Sequence, residues 1–172
     1  MIIDIDKLPK DGLKLVRNFD FPSFDLVEEE AVFLQPVHAE LTVKRAGEEI
    51  LIKGRITTCL SFVCSRCLTP FEFPVDSAFD LVFLPEDAHE MKEGLDEGDL
   101  DTLFYQSHQI DIRQVVLEQL NLTFPVKPLC AETCEGICAV CGQIRHEGNC
   151  GCLVKESDVR LGKLKNFMKD KT

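Results

Sequence analysis

The feature that most constrains this chain is the crowding of cysteine between Cys130 and Cys152, where the sequence reads CAETCEGICAVCGQIRHEGNCGC. Six of the nine cysteines fall in that stretch, and an upstream pair, Cys64-Ser65-Arg66-Cys67, repeats the C-x-x-C spacing. A C-x-x-C turn can present two sulfurs to one tetrahedral metal, and two such pairs complete a four-thiolate zinc site. The chain offers four close pairs: Cys64/Cys67, Cys130/Cys134, Cys138/Cys141 and Cys150/Cys152. Gly142 after Cys141, and Gly151 between Cys150 and Cys152, allow the positive φ that tight chelating turns use.

Four pairs can be matched in three ways. The short loop between them favours Cys138/Cys141 with Cys150/Cys152. Cys64/Cys67 would then join Cys130/Cys134 and staple the strand-rich part to the C-terminal segment. A single zinc with leftover thiols is the main variant. Thiolates also suit an iron–sulfur cluster. A redox dithiol at Cys64/Cys67 is the third option, although the βαβ context expected of one is missing. His146 lies between two cysteine pairs as a replacement ligand or a plain loop histidine. Cys59 has no spaced partner and reads as a core residue.

Metal rather than disulfides follows from compartment. The first residues, MIIDID, show no basic stretch leading into an apolar one, and no apolar run approaches the ~20 residues that span a bilayer. The expectation is a cytoplasmic protein without a membrane role, where disulfides do not persist. At 172 residues the chain can bury a core without covalent help. Its net charge is −11, from 30 acidic and 19 basic side chains. Such a surface repels bare nucleic acid at long range. Any RNA contact must use a local basic patch, and the tail with Arg160, Lys163, Lys165 and Lys169 is the most basic part of the chain. The other reading of that tail is a solvated helix face with lysines near its C-terminus.

Between these features the periodicity is two. Residues 1–5 and 13–21 suggest short strands. Val37, Ala39, Leu41 and Val43 alternate with mostly polar residues. Ala46-Gly47-Glu48-Glu49 is a hairpin turn, and Ile50, Ile52, Ile56, Leu60 and Phe62 continue the pattern, with Gly54 and Thr58 on the same face. Phe71, Phe73, Val75, Phe79, Leu81 and Phe83 form a third alternating strand. This predicts an antiparallel meander with one buried face. Residues 85–101 are acidic and read as an exposed loop. Residues 104–110 read as another strand, and Asp111 caps a helix with Ile112, Val115, Val116 and Leu120 on its apolar stripe. Asp158 is placed to cap a last short helix.

These residues carry a family resemblance. Cys64-Ser-Arg-Cys67-Leu68 resembles the C-x-R-C-L signature of the YceD family, whose members are called large ribosomal RNA subunit accumulation proteins. Ile110-Asp111-Ile112, Pro125 and Pro128-Leu129-Cys130 resemble its second block, and Cys134-Glu-Gly-Ile-Cys138-Ala-Val-Cys141-Gly142 with Cys150-Gly-Cys152 its cysteine-rich end. Ala139 and Val159 stand where the family usually has proline, and neither change removes a proposed ligand. The resemblance covers roughly residues 45–168. It implies a bacterial protein supporting large-subunit rRNA, with rRNA or pre-ribosomal proteins as partners. Arg66, between two cysteines, is a candidate RNA or partner contact, or else a structural arginine.

The expected fold is therefore α+β: a mostly antiparallel β-sheet able to curl towards a barrel, few helices and a C-terminal cysteine-rich zinc module. The expected division is a scaffold over 1–128 and a zinc module over 129–172. No nucleophile motif, phosphate loop or marked acid–base pair is present, so an enzyme acting on a small-molecule substrate is not expected. One or two structural zinc ions are, and the runner-up function is a zinc-stapled protein-interaction scaffold that never touches RNA.

Overall fold

The computed structural model describes residues 1–27, 31–86, 102–146, 148 and 150–152. Most of the acidic loop expected at 85–101 lies outside the described residues. So does the expected last helix, with Asp158, Arg160, Lys163, Lys165 and Lys169. The described chain gathers into two compact units, residues 1–65 with 69–130, and residues 66–68 with those from 131 onward.

In the first unit the strands are β1 (Ile2–Asp4), β2 (Leu13–Phe19), β3 (Val32–Phe33), β4 (Val37–Ala46), β5 (Glu49–Val63), β6 (Pro70–Pro85), β7 (Thr102–Tyr105) and β8 (Gln109–Asp111), followed by helix α1 (Ile112–Leu122). The main sheet has the order β2-β4-β5-β6-β7, with β3 also paired to β5. The pairs β2–β4, β3–β5, β4–β5 and β5–β6 are antiparallel, and β6–β7 is parallel. No pairing joins β2 to β7 among the described residues, so the sheet does not close into a barrel. β1 and β8 form a separate antiparallel ribbon.

Alternation decides which face is buried. On β5, Ile50, Ile52, Ile56, Leu60 and Phe62 are buried, and Thr58 joins them with its hydroxyl donating to the Gln35 carbonyl at 2.9 Å. That bond satisfies the one polar group on the apolar face. The opposite face carries charge, where Arg55 meets Asp76 and Lys53 meets Asp80 across the β5–β6 pair. These pairs are exposed and add little to stability.

Gly54 sits in the buried row, paired with Leu41 on one side and Phe79 on the other. A Cβ at this position would lie 2.4 Å from Phe79 Cζ and 2.5 Å from Leu41 Cδ2. The glycine leaves the room these side chains fill. Gly54→Ala is therefore expected to destabilise the chain by about 1–3 kcal/mol through overpacking, read as a lower urea midpoint.

The helix forms where the sequence predicts it. Asp111 is its N-cap, accepting from the Arg113 N–H at 3.0 Å, and Ile112, Val115, Val116 and Leu120 are the buried stripe. The Met1 ammonium donates to Asp111 Oδ1 at 2.9 Å, and this bond, with those from the helix N–H groups, holds the carboxyl below its ordinary range against the opposing effect of burial. Losing the cap costs about 1 kcal/mol. A depressed carboxyl stabilises above its unfolded pKa, and this is lost as pH falls through the folded value. Asp111→Ala should therefore be less stable than wild type at neutral pH and approach it below about pH 4, as unfolding midpoints across pH will test.

The sequence expectation of one strand over 104–110 needs correction. The segment forms two short strands in different sheets, β7 against β6 and β8 against β1. The turn at Gln106–Gln109 separates them, with Ser107 and His108 both at positive φ (52° and 56°).

Candidate metal centres

The pairs Cys64/Cys67, Cys130/Cys134 and Cys138/Cys141 stand on turns with backbone bonding of their own. Cys64 and Cys67 lie in the connection between β5 and β6. The Cys64 N–H donates to the Thr69 carbonyl at 3.0 Å, which continues the hairpin ladder one step beyond Val63 and Pro70. Ser65 donates through both its N–H (2.9 Å) and its hydroxyl (3.0 Å) to the Pro128 carbonyl. The same anchor thus fixes the turn and the chain running into Cys130. Leu68 closes the turn at φ 61°, a conformation uncommon for leucine, with its side chain exposed.

In the second unit, the Cys134 N–H donates to the Ala131 carbonyl at 3.0 Å. Gly136 follows at φ 76°, and a Cβ there would sit 2.9 Å from the Arg66 carbonyl oxygen, so only glycine fits against that backbone. The Cys138/Cys141 knuckle is a miniature hairpin. Cys138 N–H bonds the Gln143 carbonyl and Gly142 N–H bonds the Cys138 carbonyl, both at 2.8 Å, and Ile137 bridges to Ile144. Gly142 and Gly151 both take positive φ, 76° and 63°.

The sulfurs of these turns fall into two groups. Those of Cys64, Cys67, Cys130 and Cys134 all lie within 4.8 Å of one another, and so do those of Cys138, Cys141, Cys150 and Cys152. This is the matching that closes the shorter loop. A zinc ion holding four thiolates at ~2.3 Å needs sulfurs ~3.8 Å apart, so the spacing fits a four-sulfur site. The two groups could hold metal ions. Among the first, Cys64, Cys67 and Cys134 are buried, whereas Cys141 of the second is exposed.

The second group is electrostatically uneven. N–H groups of Cys141 and Val140 point at the Cys138 sulfur, Val140 at 3.5 Å, and lower its pKa to about 6. Hydrogen bonding with the Cys141 and Cys150 sulfurs pushes the Cys152 thiol up to about 12. Cys138 is thus the readier of the two to ionise, and Cys152 the one that holds its proton more tightly. Metal uptake must displace that proton, so affinity should rise with pH and metal should be released on acidification. A zinc-indicator dye followed from pH 8 to pH 5 will check the sign, and retention unchanged to pH 5 would contradict it.

Arg66 is exposed, and its Nη1 donates to the Cys134 carbonyl at 2.8 Å and the Glu132 carbonyl at 3.4 Å. Both of these partners are backbone carbonyls. His146 is exposed, with Nδ1 4.0 Å from the Cys134 sulfur, beside the first group without belonging to it. Cys59 lies half-buried on β5, outside both groups. Sequence reasoning missed the roles of Pro128 and Gly136. The only local signal for either was the Ser65 hydroxyl within the C-x-x-C turn and a glycine two residues after Cys134.

A family model described as "Large ribosomal RNA subunit accumulation protein YceD" matches residues 52–168, which include both sulfur groups. The chain belongs to the YceD family. YceD relatives among curated proteins include an uncharacterized protein of Mycobacterium leprae, 27% identical over 147 residues, 83% of this chain and 66% of the relative. An uncharacterized protein of Mycobacterium tuberculosis strain H37Rv is 28% identical over 104 residues, 60% of this chain and 48% of the relative. The Arabidopsis thaliana protein named large ribosomal RNA subunit accumulation protein YCED homolog 1, chloroplastic, is 23% identical over 155 residues, 77% of this chain and 48% of its own. The chain thus spans between about half and two thirds of the length of these relatives. No solved structure matches it. No helix among the described residues is long and apolar enough to cross a membrane.

Proposed function

We propose that this YceD-family chain is a non-enzymatic, zinc-stabilised factor of the bacterial cytoplasm that supports accumulation of large-subunit ribosomal RNA, acting by binding rRNA or a pre-ribosomal protein complex. The observation that carries the metal half is the gathering of eight cysteine sulfurs into two sets of four. An all-thiolate set suits zinc, and a set with four protein ligands leaves no position for a reacting water, which makes the sites structural. Bound zinc would neutralise the thiolates and tie each set of turns together. The chain's part is to deliver the sulfurs at the right spacing and to aim N–H groups at them.

The rRNA half rests on the family's name, and the net charge of −11 favours a second reading in which the chain docks only on proteins. Depletion in a bacterial host should lower large-subunit rRNA relative to small-subunit rRNA. Unchanged rRNA ratios on depletion would remove the ribosomal reading. Crosslinking in cells separates the two modes: recovery of rRNA above background supports direct contact, and recovery of proteins alone supports the docking scaffold.

A further inference from the structure

The two sulfur groups differ in how far solvent reaches them. In the first, Cys64, Cys67 and Cys134 are buried and Cys130 is half-buried. In the second, Cys138 alone is buried, Cys150 and Cys152 are half-buried and Cys141 is exposed. The glycines at the turns show the same contrast. A Cβ on Gly136, two residues after Cys134, would sit 2.9 Å from the Arg66 carbonyl oxygen. A Cβ on Gly142 or Gly151, beside sulfurs of the second group, would meet no described atom within 4 Å. Val140, next to Cys141, is exposed as well. The buried Cys138 sulfur is covered further by the Val140 N–H at 3.5 Å. Cys141 is therefore the open corner of the second group.

We infer that Cys141 is the site at which the chain reacts with hydroperoxides and other soft electrophiles, and that its oxidation empties the second metal centre while the first keeps its ion. The reactivity of a cysteine follows both thiolate character and access, and a metal-held sulfur is already deprotonated. With eight sulfurs alike in that respect, access decides among them. In the first step the Cys141 sulfur attacks one peroxide oxygen. The S–O bond forms, the O–O bond breaks and hydroxide leaves, so the sulfur is oxidised by two electrons to a sulfenic acid. In the second step another sulfur of the group attacks the sulfenic sulfur, a disulfide forms and a second hydroxide leaves. The resolving sulfur is at hand, because all four of the group lie within 4.8 Å of one another. Each peroxide thus consumes two thiolates. Two ligands remain where a structural zinc site uses four.

The inference rests on the two-zinc reading of the proposed function and names the regulation of one of its two centres. Its test uses the full metal-loaded chain carrying Cys59→Ser, so that a thiol outside both groups does not compete. Hydrogen peroxide is added, and native mass spectrometry follows the ions. One ion should leave at least about tenfold faster than the other. Peptide mapping should place Cys141 in a disulfide, with Cys64, Cys67, Cys130 and Cys134 unmodified, and a thiol reductant with added zinc should restore the second ion. Limiting N-ethylmaleimide should give its first adduct on Cys141. Loss of both ions at one rate, or a first adduct on any of the first group, would overturn this inference and leave the zinc reading standing. A chain that carries no metal before peroxide is added would overturn both.

Discussion

Cys138→Ser is expected to lose one of two metal ions per chain and to make residues 131–152 accessible to protease at temperatures where wild type resists. Cys138 holds several parts of its group in place. Its sulfur receives N–H groups of the knuckle, and its own N–H and carbonyl close the small hairpin with Gln143 and Gly142. Serine keeps the backbone bonds but replaces a sulfur lowered to about 6 with a hydroxyl that does not ionise at neutral pH. The site then has three thiolates, and a structural zinc centre contributes about 10–16 kcal/mol of apparent binding free energy to folding. Losing most of that would be comparable with the whole stability of a typical domain, about 5–15 kcal/mol. Among the described residues of the second unit the buried ones include Cys67, Cys134 and Cys138, while Ile137 and Val140 are exposed. Cys59→Ser is the control, because Cys59 lies outside both groups and should keep the full metal content. Equal metal content and equal protease resistance in Cys138→Ser would count against the centre.

The largest effect expected in the first unit is at Phe62. This ring is 1% exposed, at the end of β5 just before the Cys64 turn. It packs edge-on against Phe73 at 5.0 Å and Phe124 at 5.1 Å between centroids, and lies 6.3 Å from Phe71. Phe62→Ala removes a buried side chain and leaves a cavity, which costs about 3–5 kcal/mol. The edge-to-face pairs add about 0.5–1.5 kcal/mol each beyond buried area. Urea unfolding should show a large drop in midpoint with little change in slope. Phe62→Leu should recover much of the loss, because volume is better conserved. A drop below about 1 kcal/mol would mean that these rings do not form the core beneath the cysteine turn.

The long strands were legible because their signal is local and repeated. Ile50 to Phe62 alternate over a 15-residue strand, and Gly47 supplies the positive φ (70°) of the turn before it. Asp111 and the Ile112, Val115, Val116, Leu120 stripe were legible for the same reason, since cap and periodicity reinforce each other within one helix. The split of 104–110 was not. Ser107 and His108 adopt positive φ without a glycine to announce it, and the pairing of β8 with β1 joins residues more than a hundred positions apart. Such a choice of partner depends on which edges remain open after the main sheet forms, and no window of sequence contains that information. β3 was missed because two residues, Val32 and Phe33, cannot show a period. The predicted meander of β4, β5 and β6 is antiparallel throughout, whereas the parallel pairing of β7 with β6 lay beyond it, because alternation reports a buried face but not strand direction.

The candidate site divides along the same line. Cysteine spacing is a local signal, and the glycines beside Cys141 and between Cys150 and Cys152 take the positive φ their positions suggested. The carbonyl partners of Arg66 are sixty-six and sixty-eight residues away, and spacing could not name them.

The central claim is that eight thiolates hold two zinc ions. Native mass spectrometry of the full chain, purified without chelator and checked by elemental analysis, tests it most directly. The account predicts a species with two zinc ions per chain, both lost when the protein is acidified or treated with chelator. A chain that carries no metal, or carries iron and sulfide in place of zinc, while keeping wild-type folding would contradict it.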